Sequence, residues 1–193
     1  MIAVEKEYWD KRYKEDDTGW DTSTITTPLK AFIDGLEDKS ISILIPGCGN
    51  AHEAEYLISQ GFQDITVLDF AEGPIKDLRN KFSGVKAINI LQEDFFIHKG
   101  QYQLIIEQTF FCAINPELRP QYFLKIYELL KENGMLVGVL FNRNFDGGPP
   151  FGGNELEYRK LISNARLTIK KMEPCYNSIK PRKGTELFIM ITH

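Results

Sequence analysis

The sequence predicts an α/β fold: a doubly wound, mostly parallel seven-stranded sheet that ends in a C-terminal antiparallel hairpin. Three observations predict it. Between residues 41 and 141, five short runs rich in Ile, Leu and Val alternate with amphipathic helical segments. That is the pattern of parallel strands covered by helices on both faces. The first run, "ISILIP", passes directly into a glycine turn, "GCGN". The last two strand-like runs, "RLTIKKME" and "TELFIMIT", have no helix between them. They pair most simply as a hairpin, with the last strand joining the edge of the parallel sheet.

Taken in order, residues 4 to 15 read as a short helix bearing Tyr8, Trp9 and Tyr13, followed by a polar loop that contains Trp20. A second helix runs from Pro28 to Leu36, with Thr27 as its N-cap and proline at its first position. Residues 41 to 46 form a strand, 51 to 60 a helix closed by Gly61, and 64 to 70 a second strand, which together make a βαβ unit. A helix over 73 to 82 and strands over 86 to 94 and 102 to 108 follow. Asn115 with Pro116 or Pro120 opens a long helix through Lys131, stopped by Gly134, and 135 to 141 is the fifth strand. The loop "NRNFDGGPPFGG", a helix near 154 to 163 and the hairpin complete the chain. No repeat, low-complexity tract or linker marks a boundary, so one domain over 1 to 193 is expected.

Composition narrows the function. Acidic and basic residues number 27 and 23, a net charge of -4, so no positive field draws in nucleic acid. Cys48, Cys112 and Cys175 show no C-x-x-C spacing, and His52, His98 and His193 are scattered, which argues against a disulfide framework and against a zinc site. The N-terminal stretch is charged from its fifth residue, and no apolar run approaches the roughly 18 residues of a membrane span. A cytoplasmic protein is expected, with a small-molecule substrate and neither a nucleic-acid nor a membrane partner.

Three ligand classes compete for the glycine turn. A nucleoside triphosphate loop needs a lysine and a hydroxyl residue after its glycines, and neither is present. A dinucleotide loop wants a third glycine where His52 stands. S-adenosylmethionine has no phosphate, so two glycines suffice to bring the backbone close to its amino-acid moiety and ribose. Asp69, about 20 residues beyond the turn at the end of the second strand, suits the two ribose hydroxyls of an adenosyl group, but NAD would use the same carboxylate. In "QEDFF", Asp94 can accept from an adenine amino group while Phe95 covers the purine face. Glu107 and Gln108 end the fourth strand at the sheet's carboxyl edge, where open α/β sheets bind ligands. Each feature alone has a plainer reading: a tight turn for the glycines, helix caps for the acids, helix packing for Trp9, Tyr13 and Trp20. Cys48 reads as a small buried filler, and His52 and His98 as surface residues. What favours the ligand reading is the agreement of four strand ends.

With those residues in place, the chain resembles the thiopurine S-methyltransferase family, and more closely its plant halide/thiol methyltransferase branch. The motifs that carry the resemblance run from "YWDKRYKEDDTGWD" through "ILIPGCGN", "VLDF", "QEDFF" and "TFFCAINPELRPQYF" to "GGPPF" and "IKPRKG". It implies a Rossmann-like class I methyltransferase fold, with residues 1 to 40 a helical lid segment and 41 to 193 the core. S-adenosyl-L-methionine would be the cofactor, S-adenosyl-L-homocysteine the product, and no metal is called for. Trp9, Tyr13 and Trp20 match aromatics that close over the cofactor, with Tyr13 where a tryptophan is usual. Gly47, Gly49, Asp69, Asp94, Phe95 and Gln108 match cofactor-lining positions, and Glu107 stands where an aspartate is more typical. Arg119 and Arg182 fall where members place substrate-side arginines. Phe110, Phe111 and Cys112, with Pro149, Pro150 and Phe151, would wall the substrate pocket. The implied reaction is methyl transfer to a small soft nucleophile, a thiol, a halide or a related sulfur or selenium compound, in a monomer. No catalytic base is identified, and an NAD-dependent oxidoreductase or a non-catalytic nucleoside-binding module of the same fold remain the alternatives.

Overall fold

The computed structural model describes residues 6–193. The order of elements is α1 Lys6–Lys14, α2 Thr27–Asp34, β1 Ser42–Pro46, α3 His52–Ser59, β2 Asp64–Asp69, α4 Glu72–Lys81 and β3 Ile88–Gln92. There follow β4 Tyr102–Gln108, α5 Arg119–Leu129, β5 Leu130–Phe141, α6 Glu155–Asn164, β6 Thr168–Pro174 and β7 Glu186–Thr192. The seven strands form one sheet in the order β3-β2-β1-β4-β5-β7-β6. The first five pair in parallel, and β7 runs antiparallel between β5 and β6. Strand order reverses between β1 and β4, the topological switch point at which such sheets open a crevice. The predicted fold class therefore stands.

Two cores flank the sheet because alternate strand residues point to opposite faces. Leu44, Ile105, Leu136 and Leu187 pack beneath α5 and α6 against Tyr122, Phe123, Tyr158 and Ile162. Ile43, Ile45, Ile65 and Val67 pack beneath α2, α3 and α4 against Leu29, Ile33, Leu57 and Leu78. Every residue of β1 is buried: its apolar run from Ile43 to Pro46 fits a strand covered on both faces, and the Ser42 hydroxyl accepts from the Gln103 N–H at 3.2 Å and from Lys131 at 2.9 Å.

Several boundaries differ from the sequence reading. Residues 4 and 5 of the first predicted helix lie outside the described residues. Helix α2 starts at Thr27 with Thr26 in the cap position, and neither hydroxyl caps it. Thr26 instead donates to Gln108 Oε1 at 2.9 Å, and Thr27 donates to the Asn177 carbonyl. Helix α5 ends at Leu129 rather than Lys131, because Leu130 is already paired with Tyr102 in the sheet. Gly134 does not stop that helix but lies within β5, where a Cβ would lie 2.8 Å from both the Lys131 and Tyr102 carbonyl oxygens. Pro116–Leu118 is a separate 3-10 turn, capped by the Asn115 side chain, which accepts the Glu117 N–H at 3.0 Å.

Candidate active site

The site is built where β1 and β2 end. After Pro46 the chain turns through Gly47 at φ +56° and Gly49 at φ +47°, a region that side chains rarely occupy. Space demands glycine as well. A Cβ on Gly47 would lie 2.2 Å from the Phe110 ring, and one on Gly49 would lie 2.6 Å from the Tyr13 hydroxyl. Asp69, the last residue of β2, spans the gap: Oδ2 accepts the Gly49 N–H at 3.0 Å and Oδ1 the Ala71 N–H at 2.9 Å. Burial pushes this carboxyl above the usual range, against the pull of those backbone bonds. Each oxygen keeps acceptor capacity beyond its backbone bond.

This edge opens into a cavity of about 780 Å³. Gly47, Gly49, Asp69, Asp94, Phe95 and Gln108 all line it, as do Trp9, Tyr13, Trp20 and Arg182. The Trp20 ring meets Trp9 at 5.2 Å and Tyr13 at 5.6 Å, both edge to face, and the Arg12 guanidinium lies 5.0 Å from the Trp20 ring centre. Burial pushes the Tyr13 hydroxyl far up, so it stays protonated beside Asp69. Asp94 accepts the Phe96 N–H at 2.9 Å. Phe95 is only 3% exposed, its ring wedged edge to face between Phe96 and Phe110, so it belongs to the wall rather than standing free as a cover.

The N-terminal segment is fastened to the cavity by Asp21, which sequence reasoning passed over, and by His52, Asn50 and Arg182 in roles it did not assign them. Asp21 accepts from the Asn50 amide and pairs with His52 Nε2 at 2.6 Å, bridging the loop after α1 to the start of α3. Arg182 donates to the Trp20 carbonyl at 2.9 Å from the other side. His52 is thus a partner in a half-buried contact rather than a free surface residue. The available signal was the acid directly after Trp20 and the polar pair flanking Ala51. Phe141, Phe145 and Arg143 also line the cavity and went unnoticed, since nothing in the spacing of that loop marks them.

Four residues expected at the site lie off the cavity. Glu107 is fully buried; its Oε1 accepts the Phe110 and Phe111 N–H groups at 2.9 Å each and its Oε2 the Tyr122 hydroxyl at 2.7 Å. Burial pushes its carboxyl up to about 7. Phe111 is 1% exposed in the core, against Tyr122, Phe123 and Tyr158. Arg119, 2% exposed, donates to Glu157 at 2.8 Å and to the Phe151 and Gly152 carbonyls, with its guanidinium over the Phe111 ring. Phe151 is held by its backbone, its N–H donating to the Cys112 carbonyl at 2.7 Å, and its ring lies where a Cβ on Gly148 would sit. Phe110, Cys112, Pro149 and Pro150 do line the cavity. His98, expected at the surface, is 4% exposed, between Glu93 at 2.6 Å and the Tyr102 hydroxyl at 2.8 Å.

The profile of the thiopurine S-methyltransferase family matches residues 4–188, almost the whole chain. The chain belongs to that family. It is an S-adenosylmethionine-dependent methyltransferase, and membership leaves the oxidoreductase alternative without support. Among its relatives, thiocyanate methyltransferase 1 of Brassica oleracea is 29% identical over 190 residues, covering 95% of this chain and 84% of that one. Probable thiol methyltransferase 2 of Arabidopsis thaliana is 28% identical, covering 92% and 81%. Thiopurine S-methyltransferase of Aliivibrio fischeri strain MJ11 is 23% identical, covering 96% of each. The fold is shared with a 1,6-didemethyltoxoflavin-N1-methyltransferase of Burkholderia thailandensis at TM-score 0.76 and 17% identity, covering 98% of this chain and 87% of that one.

In this methyltransferase no thiol is activated. Burial raises Cys48 well above the usual range and pushes Cys112 up to about 12, so both stay protonated at the cavity wall. Among the described residues no cluster of three His, Cys, Asp or Glu side chains could hold a metal ion, and no helix is long and apolar enough to cross a membrane.

Proposed function

We propose that this methyltransferase acts on a small soft nucleophile, a thiol, a halide or a related sulfur or selenium compound. The cofactor half of the reading is carried by the unit of Gly49 and Asp69 at the cavity's edge, a backbone cradle that a Cβ would fill, beside a carboxylate with spare acceptor capacity. Such a cradle fits the amino-acid and ribose portions of S-adenosylmethionine. In this reading Gly47 and Gly49 admit the cofactor, Asp69 accepts from its ribose, Asp94 and Phe95 border the adenine, and Gln108 lines the cavity beside them. Trp9, Tyr13 and Trp20 exclude water from above, residues up to 40 serving as the lid of a single domain. Gln108 supports the assignment: Thr26 fixes its Oε1, while its buried Nε2 has no partner among the described residues.

When bound, the cofactor supplies an activated methyl group. The chain has then to hold a nucleophile about 3 to 3.5 Å from that carbon and keep water out. Phe110, Phe141, Phe145, Pro149 and Pro150 give the acceptor side an apolar wall, and Arg143 and Arg182 bring positive charge to it. A polarisable anion suits that combination. The relatives named for thiocyanate and thiols point to the same acceptor class. The test is release of S-adenosylhomocysteine with iodide, thiocyanate, hydrosulfide and an aromatic thiol in turn. Turnover with at least one is expected, and cofactor binding with no turnover on any of them would contradict the reading.

A further inference from the structure

We propose that Glu53 is the proton acceptor of the reaction: a thiol or hydrosulfide entering the cavity gives its proton to the Glu53 carboxylate as its sulfur takes the methyl group. The inference rests on the soft-nucleophile reading above. It adds the subclass that the site serves, acceptors that arrive protonated.

Glu53 sits in the first turn of α3, four residues beyond Gly49, and lines the cavity although it is only 6% exposed. A buried carboxylate normally has its hydrogen-bond partners, because desolvating it otherwise is costly. Its acidic neighbours obey that rule. Asp69 takes the Gly49 and Ala71 amides, Glu107 takes two amides and the Tyr122 hydroxyl, and Asp21 takes Ser23, Asn50 and His52. Among the described residues no other residue donates to the Glu53 carboxylate; the one bond it accepts comes from its own backbone amide. Arg182, 9% exposed, lines the same cavity; among the described residues its buried Nη1 has no hydrogen-bond partner and is ion-paired with Glu186 at 3.7 Å. One cavity therefore presents an open acceptor and, beside it, a guanidinium cation held by the Trp20 carbonyl and Glu186. That pair matches an acceptor that loses a proton and becomes an anion.

The electrostatic surroundings agree. Burial pushes the Glu53 carboxyl above its ordinary value and Asp21 adds to the rise, while His52 and Arg182 pull against it. Glu107 and Cys48 also lie close enough to feel the Glu53 charge. A raised carboxyl is better matched to a thiol, whose ordinary pKa is about 8.5, than an exposed one would be.

The step balances without a further reagent. The acceptor's S–H bond breaks and its proton passes to Glu53; the freed sulfur pair forms the new S–C bond. The C–S bond of the sulfonium donor breaks with its electron pair left on that sulfur. Glu53 returns the proton to solvent once the products leave. Halides and thiocyanate bring no proton, so this role of Glu53 is specific to the protonated acceptors.

The experiment compares wild type with Glu53→Gln and Glu53→Asp on an aromatic thiol and on thiocyanate, across pH. In Glu53→Gln the ratio of thiol to thiocyanate kcat/KM is expected to fall at least tenfold. The pH profile for the thiol should move up to the free thiol's own pKa, and Glu53→Asp should recover part of both. Equal loss on both acceptors, or an unmoved thiol profile, would overturn the proposal. So would a loss of S-adenosylhomocysteine affinity matching the loss of rate, for Glu53 would then hold the cofactor's ammonium group. Turnover of iodide or thiocyanate with none of the aromatic thiol or hydrosulfide would overturn this proposal alone, whereas failure of wild type on all four would refute the soft-nucleophile reading itself.

Discussion

Gly49 donates its amide N–H to the Asp69 carboxylate across 3.0 Å, tying the turn after β1 to the acid that ends β2. Neither residue reaches this geometry alone. The turn needs two left-handed glycines to bring the amide round, and the acid needs the parallel register in which Pro46 pairs with Leu68, its own neighbour.

The two glycines are expected to respond differently to alanine. In Gly47→Ala the new methyl meets the Phe110 ring at 2.2 Å, in a ring packed against Phe95, and the left-handed backbone adds roughly 1–2 kcal/mol of strain. Thermal unfolding should show a clear fall in Tm together with lost cofactor binding. In Gly49→Ala the clash is with the far end of Tyr13, which can swing aside. Its Tm should fall less, while calorimetry should show S-adenosylhomocysteine bound at least tenfold more weakly.

Arg119 is expected to act on stability. Its guanidinium reaches Glu157 and two backbone carbonyls from a nearly buried position, so Arg119→Ala leaves buried acceptors unpaired at a cost of about 2–3 kcal/mol. Thermal melts should show that loss. A raised KM for the methyl acceptor at unchanged Tm would instead restore the substrate-side role that resemblance implied.

Asp21 holds the N-terminal segment in place. Burial pushes its carboxyl up, but the bonds from Ser23, Asn50 and His52 outweigh that and hold it below the usual carboxylate range. Its contribution is therefore present above the ordinary Asp value and lost as pH falls through the lowered one. Asp21→Ala should make the segment before α2 cleavable by limited proteolysis at neutral pH, at least tenfold faster than in wild type. Cleavage at the wild-type rate would show that Asp21 does not latch it.

Glu107 makes the opposite pH signature. With its carboxyl pushed up to about 7 from an ordinary 4.5, the folded protein binds a proton that the unfolded chain has already lost across that window. The associated stability is full below the ordinary value and is lost as pH rises through the raised one. Glu107→Gln keeps an acceptor for the Phe110 and Phe111 amides, so it should flatten the decline in Tm between about pH 4.5 and 7. An unchanged slope would place the titration elsewhere.

The sheet was legible because its signals are local and periodic: the apolar run of β1, the turn glycines, and two final strands with no helix between them. Most of the cavity followed from the same logic, since residues at parallel strand ends share one edge. What stayed illegible depends on where side chains point once packed. Glu107 and Gln108 are adjacent in sequence, yet alternation sends Glu107 into the core and Gln108 to the cavity. Arg119 and Arg182 read alike as charges, and only the tertiary fold turns Arg119 toward Glu157 while leaving Arg182 at the cavity. His98 carries no sequence signal of burial, because its partners Glu93 and Tyr102 are specified by the path of the chain between β3 and β4.

The central claim is that the carboxyl edge grips an adenosyl cofactor through the glycine turn and Asp69. Calorimetric titration of S-adenosylhomocysteine into wild type and Asp69→Ala, with circular dichroism to establish that the variant is folded, tests it most directly. The account predicts saturable binding to wild type and at least a hundredfold loss in the folded variant. Wild-type affinity in folded Asp69→Ala would contradict it.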